Sequence, residues 1–312
     1  MFKRRARVLA GLTLGAFRKL LSKLREDQQI ERVLTRAQAQ ATAHSNMAAK
    51  RVLITGSTRG IGRALAEAFV RQGASVVVHG RRETEARAVA EQLGKVRSSH
   101  AAAAVVVGIG ADLGLAGAGK TLVERAVAEL GGLDLVINNA GVHDPKRKPI
   151  WETSGDEIEA VMRINFFATF EVCSAALASM IANGVAGRII NISTVAAKPS
   201  HVTAGGIATY GVSKFALEGL SHYLAAEAGP QGVTVTTLRP GMIDTDMVAP
   251  LFTVDWRLRM LPPESVVPPV LHLASAPMQE VHGRMFDQAD LMEKLGGVSN
   301  GVAAQDSAPA PP

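Results

Sequence analysis

The chain has 312 residues, 47% of them hydrophobic, and a formal charge of +6. This length can hold one large α/β domain or two smaller ones. Residues 1–50 contain 11 Lys or Arg and 3 Asp or Glu, a balance of +8, so the remainder carries −2. Because the basic excess lies at one end, the charge does not predict a nucleic-acid-binding protein. Cys173 is the single cysteine, which excludes an internal disulfide and a cysteine-rich metal site and favours a small apolar packing role.

An apolar segment near the beginning, Val8–Phe17, is too short to span a bilayer, which needs about 20 apolar residues. Arg18 and Lys19 follow it, where a secretory signal would carry small residues. Leucines at near-helical spacing between basic residues are typical of a transit peptide or of an amphipathic helix on a surface. A misassigned start codon is the third interpretation, because Met47 begins a sequence typical of a domain start. A transit peptide predicts a mitochondrial or plastid protein, and a start artefact predicts a cytoplasmic one.

From Lys50 onward, short apolar runs alternate with helical segments, without an internal repeat or a linker. The runs are β-branched and almost continuously apolar, which is typical of parallel strands buried on both faces. The sequence therefore predicts one doubly wound Rossmann-type α/β domain over residues 47–295, with a parallel seven-stranded sheet flanked by helices. Residues 1–46 are predicted to lie outside the fold, and residues 296–312 to form a disordered tail. The predicted strands are Val52–Thr55, Ser75–His79, Val105–Val107, Leu135–Ile137, Arg188–Ile192, Val233–Thr237 and Arg284–Phe286.

Two long helices are predicted, one around residues 158–181 and one after Lys214. Phe166, Phe167 and Phe170 add apolar surface beyond what one domain face needs. Exposed apolar surface usually marks a partner, so we expect a homodimer or a homotetramer.

Gly56, Gly60 and Gly62 follow the first predicted strand and open the first helix. Glycine lets the backbone approach a pyrophosphate, and the helix N-terminus favours its negative charge, so the turn predicts a dinucleotide site. An NAD site would carry an acid at the end of the second strand, but Arg81 stands there. Arg81, and Arg59 inside the turn, would suit the 2′-phosphate of NADP(H). Glu83, two residues after Arg81, argues for NAD instead. The alternative for the two arginines is that they are solvated surface residues.

Tyr210 and Lys214 lie four residues apart, about one helical turn, so the phenol and the ammonium share a helix face. We expect the ammonium to lower the pKa of the phenol from its reference of about 10. A tyrosine of this kind gives a proton to a carbonyl or takes one from an alcohol.

These motifs, in this order over residues 50 to about 288, resemble the short-chain dehydrogenase/reductase family. The resemblance implies an NADP(H)-dependent oxidoreductase that interconverts a carbonyl and a secondary alcohol by hydride transfer, with tyrosine as general acid and base. It implies a catalytic set of Asn165, Thr194, Tyr210 and Lys214, in which Asn165 holds a water of a proton path and Lys214 also binds the nicotinamide ribose. The implied cofactor-binding residues are Gly56, Ser57, Arg59, Gly60, Ile61, Gly62, Arg81, Asp112, Asn138, Ala140, Gly141, Tyr210, Lys214, Pro240, Gly241, Ile243 and Thr245.

Asparagine is unfavourable inside a helix, so Asn165 needs a reason to stand there. The alternative to a role in the proton path is a buried amide that neighbouring backbone groups satisfy. Thr194 stands where the family usually has serine, and Ser193 is the alternative if the register shifts by one residue. The segment Ser200–Gly206 lengthens the loop before Tyr210 relative to the family.

Residues 246–262 are predicted to form a lid over a small carbonyl or alcohol substrate. The apolar lid residues favour a partly apolar substrate, while Arg257 and Arg259 would either bind an acidic group or face water. No metal, nucleic acid or transmembrane segment is predicted, although residues 1–46 could touch a membrane surface. The other functions considered are an NAD-linked alcohol dehydrogenase and a nucleotide-binding protein of this fold without turnover.

Overall fold

The computed structural model describes residues 31–42, 45, 47–96, 104–144, 146–202 and 206–296. Residues 297–312 of the predicted tail and the apolar segment Val8–Phe17 lie outside the described residues, and the first tail residue, Gly296, ends the last helix. The sheet is parallel throughout, with the strand order β3-β2-β1-β4-β5-β6-β7. This confirms the predicted doubly wound sheet of seven strands. The strands are β1 Arg51–Ile54, β2 Ser75–Gly80, β3 Val106–Gly110, β4 Leu135–Asn138, β5 Arg188–Ile192, β6 Thr234–Arg239 and β7 Met285–Asp287.

Two hydrophobic cores lie on opposite faces of the sheet, because successive side chains of a strand point to opposite faces. In β1, Val52 and Ile54 belong to one core and Leu53 to the other. This burial on both faces explains why the strands read as continuous apolar runs.

Helices cover both cores. They are α1 at residues 31–42, α2 Gly60–Arg71, α3 Glu83–Gly94, α4 Ala118–Leu130, α5 Gly155–Met162, α6 Ala168–Ala182, α7 Ala208–Ala228, α8 Val254–Arg257, α9 Val267–Ser275, α10 Met278–Val281 and α11 Gln288–Gly296. The first core packs against α2, α3 and α9, and the second against α4, α6 and α7. Cys173 of α6 is fully buried in the second core, and burial raises its pKa to about 12, which agrees with a packing role.

Helices α5 and α6 form one continuous rod joined by a π-helical turn at Arg163–Phe167. The rod begins with a capping box, in which Ser154 and Glu157 bond each other's backbone N–H groups. Among the described residues, it is the one helical segment long and apolar enough to cross a membrane by length and composition. Val172 and Met180 are buried in the second core, so the apolar composition serves the packing of the domain.

Helix α1 packs against the last helix. Ala37 is fully buried and forms a small cluster with Met292 and Leu295 of α11, while Ala41 and Met47 join the first core. The predicted domain boundary at Met47 therefore needs correction for residues 31–42, because they bury apolar surface that α11 would otherwise expose. They add no strand to the sheet.

Candidate active site

The glycine turn lies at the carboxyl end of β1, at the sheet edge where doubly wound proteins bind ligands. Gly62 approaches the turn so closely that a Cβ there would lie 2.3 Å from the carbonyl oxygen of Gly56. Gly56 has a φ of +64°, in the left-handed region that favours glycine. Both positions therefore require glycine for the backbone to make this turn.

His79, at the end of β2, stabilises the glycine turn through a hydrogen bond from its backbone. The N–H of Gly56 donates to Nδ1 of His79 over 2.9 Å, and Nε2 lies 3.0 Å from the carbonyl oxygen of Ala111. The ring is therefore protonated on Nε2, and burial lowers its pKa below the ordinary value. His79 was missed in the sequence, although a histidine in an otherwise apolar strand was the available signal.

Ser57 supports the same turn with its side chain. Its hydroxyl donates to the carbonyl oxygen of Ile54 over 2.7 Å and accepts from the N–H of His79 over 2.9 Å. The residue is completely buried, so its hydroxyl faces the protein and only its backbone lies in the turn.

The N-terminus of α2 has backbone N–H donors that no capping or acidic side chain of the helix occupies. Arg59 at its N-cap is extended and provides no capping hydrogen bond, and the first turn carries no acidic side chain. Its first N–H groups lack helical partners, and the helix dipole favours an anion there. This is the environment that a pyrophosphate requires.

Arg59 and Arg81 are exposed beside this helix end, and neither has an acidic partner among the described residues. Glu83, by contrast, is bonded to the end of β3 and to Arg125. One carboxylate oxygen accepts from the N–H of Gly110 over 2.7 Å, and both accept from Arg125 over 3.1 Å. The hydrogen bond from Gly110, with those from Arg125, lowers the pKa of Glu83.

The ends of β3 and β4 present different groups. Asp112 is exposed and accepts a 2.9 Å hydrogen bond from the N–H of Gly114. The Asn138 side chain instead points into the second core, where Nδ2 donates to Asn191 Oδ1 over 2.9 Å. Its predicted cofactor contact is therefore limited to the backbone. The next residues, Asn139 and Ala140, donate their N–H groups to Thr55 Oγ1 and tie the β4 end to the glycine turn.

The segment after β6 returns to the glycine turn. A Cβ on Gly60 would lie 3.3 Å from Thr245 Cγ2, which places Thr245 against the turn. Ile243 forms an isolated parallel bridge with Leu261 and so anchors the two ends of the predicted lid. Pro240 accepts from the N–H of Val195 over 3.1 Å, and Gly241 donates to Gln288 over 3.2 Å.

Thr194, Tyr210 and Lys214 converge at the ends of β5 and α7. A hydrogen bond joins the side chains of Thr194 and Tyr210, and the Thr194 hydroxyl accepts from the N–H of Ala196 over 3.2 Å. Lys214 is buried, donates to the carbonyl oxygen of Ile192 over 2.9 Å, and lies 5.9 Å from the centroid of the Tyr210 ring.

The expected low pKa of Tyr210 is wrong for this structure. Burial raises it to about 12, and the hydrogen bond from Thr194 only partly opposes this. Tyr210 is partly exposed, so only part of its side chain is in contact with water. Burial likewise lowers the pKa of Lys214 to about 8, against the attraction of Glu218. Loss of hydration therefore outweighs the influence of the ammonium on the phenol.

Asn165 lies fully buried in the π-helical turn, and its amide is satisfied locally. Its Oδ1 accepts from the N–H of Val142, and Nδ2 donates to the carbonyl oxygen of Val142 and to Ser213 Oγ, all within 2.9 Å. A Cβ on Gly141 would lie 3.3 Å from Asn165 Oδ1 and 3.7 Å from Lys214 Nζ. The structure thus brings Asn165, Gly141 and Lys214 together, with both amide protons of Asn165 already donated.

An ionic network around the buried carboxylate of Glu218 lies beside Lys214 and was not foreseen from the sequence. Ser193 Oγ donates to Glu218 Oε1 over 2.7 Å, and Arg239 binds both oxygens of Glu218, at 2.7 and 2.6 Å. Asp287 lies 3.7 Å from Arg239 and 2.5 Å from Lys198. The signal available in the sequence was Glu218, an acid one helical turn after Lys214 on an otherwise buried face.

The predicted lid covers this edge of the sheet. His143 Nε2 lies 2.7 Å from the carbonyl oxygen of Met247, which joins the lid to the loop after β4. Arg257 is paired with Asp244 at 2.8 Å, and Arg259 lies 5.4 Å above the ring of Trp256. The two lid arginines are therefore engaged, Arg257 with Asp244 just before the lid and Arg259 with Trp256 inside it.

Comparison with known proteins gives the same assignment over most of the domain. The short-chain reductase protein NovJ from Streptomyces niveus is 37% identical over 197 residues, which cover 63% of this chain and 70% of NovJ. The 3-oxoacyl-(acyl-carrier-protein) reductase FabG from Aquifex aeolicus is 34% identical over 203 residues, covering 64% of this chain and 76% of FabG.

A solved short-chain dehydrogenase from Burkholderia cenocepacia, in complex with NADP, superimposes with a TM-score of 0.67 at 27% identity, covering 78% of this chain and 97% of that one. Residues 50–255 match the family model described as short chain dehydrogenase. These residues contain the glycine turn and the Thr194, Tyr210 and Lys214 constellation, and the chain belongs to the short-chain dehydrogenase family of oxidoreductases.

Proposed function

We propose that this protein is an NADP(H)-dependent oxidoreductase that interconverts a carbonyl and a secondary alcohol. The hydrogen-bonded pair of Thr194 and Tyr210, with Lys214 one helical turn further on, carries this proposal. Two neighbouring hydroxyls can both bind the oxygen of a carbonyl and stabilise the charge that develops on it.

The observed groups fit a dinucleotide phosphate. The uncapped N-terminus of α2 suits the pyrophosphate, and Arg59 and Arg81 suit a further phosphate on the ribose. The complex of the Burkholderia cenocepacia relative with NADP agrees with this choice. When bound, the reduced nicotinamide supplies the hydride that adds to the carbonyl carbon.

The side chains of this chain supply the proton and orient the substrate. Thr194 accepts from the N–H of Ala196, which leaves its own proton for a neighbouring oxygen. Tyr210 remains protonated at neutral pH because burial raises its pKa to about 12, so it can act as the acid in carbonyl reduction. Lys214 provides the nearby charge, and its bond to Ile192 fixes its position. Asn165 holds the loop at Val142 beside Lys214, and a remaining lone pair of Oδ1 can hold a water.

The engagement of Glu83 weighs against NAD. An acid that binds the ribose of NAD must be free to accept from two hydroxyls, but Glu83 is bonded to Gly110 and Arg125. No observation on the described residues favours a binding protein without turnover, since the two hydroxyls and the ammonium are all in place.

The test is NADPH-dependent reduction across a panel of ketones, followed by the absorbance of NADPH. Tyr210→Phe should lower turnover by at least about 10²-fold, the lower end of the contribution of general acid catalysis, with NADPH affinity nearly unchanged. The only other tyrosine, Tyr223, is 75% exposed, so Tyr223→Phe is the matched control. Turnover that survives Tyr210→Phe would refute the proposal.

We further propose a homodimer formed by the outer faces of α6 and α7. Phe167 and Phe170 are 45% and 49% exposed on the rod that contains α6, and Val212, Phe215 and Tyr223 form an exposed stripe on α7. Two adjacent apolar stripes on helices of similar length suit a second copy of the same surface. Phe170→Glu should shift the mass measured by light scattering toward the monomer. Val105→Glu, a similarly exposed position next to the edge strand β3, should leave it unchanged.

A further inference from the structure

The loop between β4 and α5 carries three consecutive basic residues with different surroundings. Lys146 and Lys148 both bind Glu157, at 3.0 and 2.7 Å, and hold its pKa at about 2. Arg147, between them, has no acidic partner among the described residues, and its Nε is buried without a hydrogen-bond acceptor. A buried donor without an acceptor is unfavourable, so it points to an acceptor that binds there.

The backbone also holds Arg147 in an unusual conformation. Its φ is +50°, which is uncommon for a residue with a side chain. The loop is fixed on one side by Asn165, which bonds both backbone groups of Val142, and by His143, which bonds the lid at Met247. Strained residues that the surroundings hold in place concentrate at ligand sites.

Arg147 lies where three segments around the catalytic pair meet. Its guanidinium is 5.9 Å from the ring centroid of Phe252 in the lid. Its carbonyl oxygen would lie 2.5 Å from a Cβ on Gly206, so the two backbones are in close contact. Gly206 precedes Tyr210 by four residues, and such a segment spans at most about 14 Å. Arg147 therefore contacts the segment that leads into α7 and lies within reach of Tyr210.

The two arginines of the predicted lid segment, by contrast, are engaged with protein groups. Arg257 is paired with Asp244, and Arg259 lies over Trp256. Since a guanidinium binds two oxygens of a carboxylate or phosphate at once, Arg147 has the chemistry to hold an oxyanion.

We propose that Arg147 binds an oxyanion, a carboxylate or a phosphate, carried by the carbonyl substrate at a distance from its reacting carbon. This rests on the proposed function and extends it, because it assigns the substrate to the anionic carbonyl compounds. Phe252 beside the guanidinium contacts the apolar part of the substrate next to the anion.

The test compares matched substrates with NADPH: oxo acids of increasing chain length with their methyl esters, and an oxo phosphate with its dephosphorylated form. The wild type should use the best anionic substrate with a kcat/KM at least about tenfold above that of its neutral counterpart. Arg147→Gln should remove about 10- to 100-fold of kcat/KM for the anion, the effect of losing a charge-assisted hydrogen bond, and leave the neutral substrate unchanged. Whether the carboxylate or the phosphate pair shows the larger loss identifies the anion.

Lys146→Gln is the matched control, because it removes a neighbouring charge that is already paired with Glu157, and it should leave both substrates unchanged. Arg147→Lys should restore part of the preference. Equal use of anion and ester by the wild type, or an equal loss for both in Arg147→Gln, would overturn the proposal.

If no carbonyl is reduced, the proposed function fails. Calorimetric binding of the oxo acids to the wild type and to Arg147→Gln then decides the role of Arg147 separately: weaker binding to the variant supports it, and equal binding refutes it.

Discussion

Ser193 Oγ donates a 2.7 Å hydrogen bond to Glu218, whereas the next hydroxyl, that of Thr194, bonds Tyr210. Adjacent residues at the end of a strand point to opposite faces of the sheet, so only one of the two hydroxyls can reach the substrate. Ser193 therefore belongs to the ionic network of Glu218 and Arg239, and Thr194 is the hydroxyl that we propose for catalysis.

Thr194→Ala should lower kcat about 10²-fold or more, which is the effect of one missing donor to a developing oxyanion. Thr194→Ser should retain activity because it keeps the hydroxyl. Ser193→Ala should leave kcat within a few-fold and lower the free energy of unfolding by about 1 kcal/mol, the contribution of one hydrogen bond. Steady-state kinetics and urea unfolding of the three variants give these values. A crippled Ser193→Ala with an active Thr194→Ala would reverse the assignment of the two hydroxyls.

Lys214 should make the free energy of unfolding depend on pH in the alkaline range. Its pKa is about 8 in the folded protein and about 10.4 in the unfolded chain, so between these values the unfolded chain binds more protons. Stability contributed by this group therefore rises with pH in that window. The free energy of unfolding of the wild type should increase relative to that of Lys214→Met between pH 8 and 10.

Urea unfolding of both proteins at intervals of one pH unit from 7 to 10 measures this difference. The series ends at pH 10, because the raised pKa of Tyr210 gives the opposite dependence above the ordinary value of about 10. A difference that stays constant or falls from pH 8 to 10 would show that folding does not lower the pKa of Lys214.

Arg81 should decide the choice of dinucleotide. We expect NADPH to bind at least about tenfold more tightly than NADH, a difference of about 1.4 kcal/mol, which one charge-assisted pair can supply. Arg81→Asp should abolish or reverse the preference. Glu83→Gln should leave the ratio unchanged, because the Glu83 carboxylate faces Gly110 and Arg125. Fluorescence titration with both dinucleotides measures the ratio, and equal affinities in the wild type would refute the assignment.

Helix α1 should contribute to the stability of the domain. Ala37 is fully buried against α11, whereas Ala39 on the same helix is exposed. Ala37→Glu places a charge in an apolar contact and should lower the free energy of unfolding by about 1–3 kcal/mol, while Ala39→Glu should change it by less than about 0.5 kcal/mol. Thermal or urea unfolding of the full chain compares the pair. If both substitutions are neutral, α1 does not stabilise the domain.

The predictions that held depend on local sequence. The seven strands could be located because each buries both faces and is therefore apolar over several consecutive residues, as in Ser75–Gly80. Gly56 and Gly62 were recognisable because the turn between a strand and a helix leaves no space for a Cβ. Tyr210 and Lys214 were recognisable because four residues on a helix fix their relative position.

The sequence by itself thus determined the fold, the glycine turn and the Tyr210–Lys214 pair, because each is encoded within a few consecutive residues. Only the tertiary structure decided that Glu83 is bonded to Gly110 and Arg125, that α1 packs on α11, and that Arg147 lacks an acidic partner among the described residues. It also decided that burial raises the pKa of Tyr210. Hydrogen-bond partners and loss of hydration are sums over groups brought together from distant segments, and such sums are not readable from neighbouring residues in the chain.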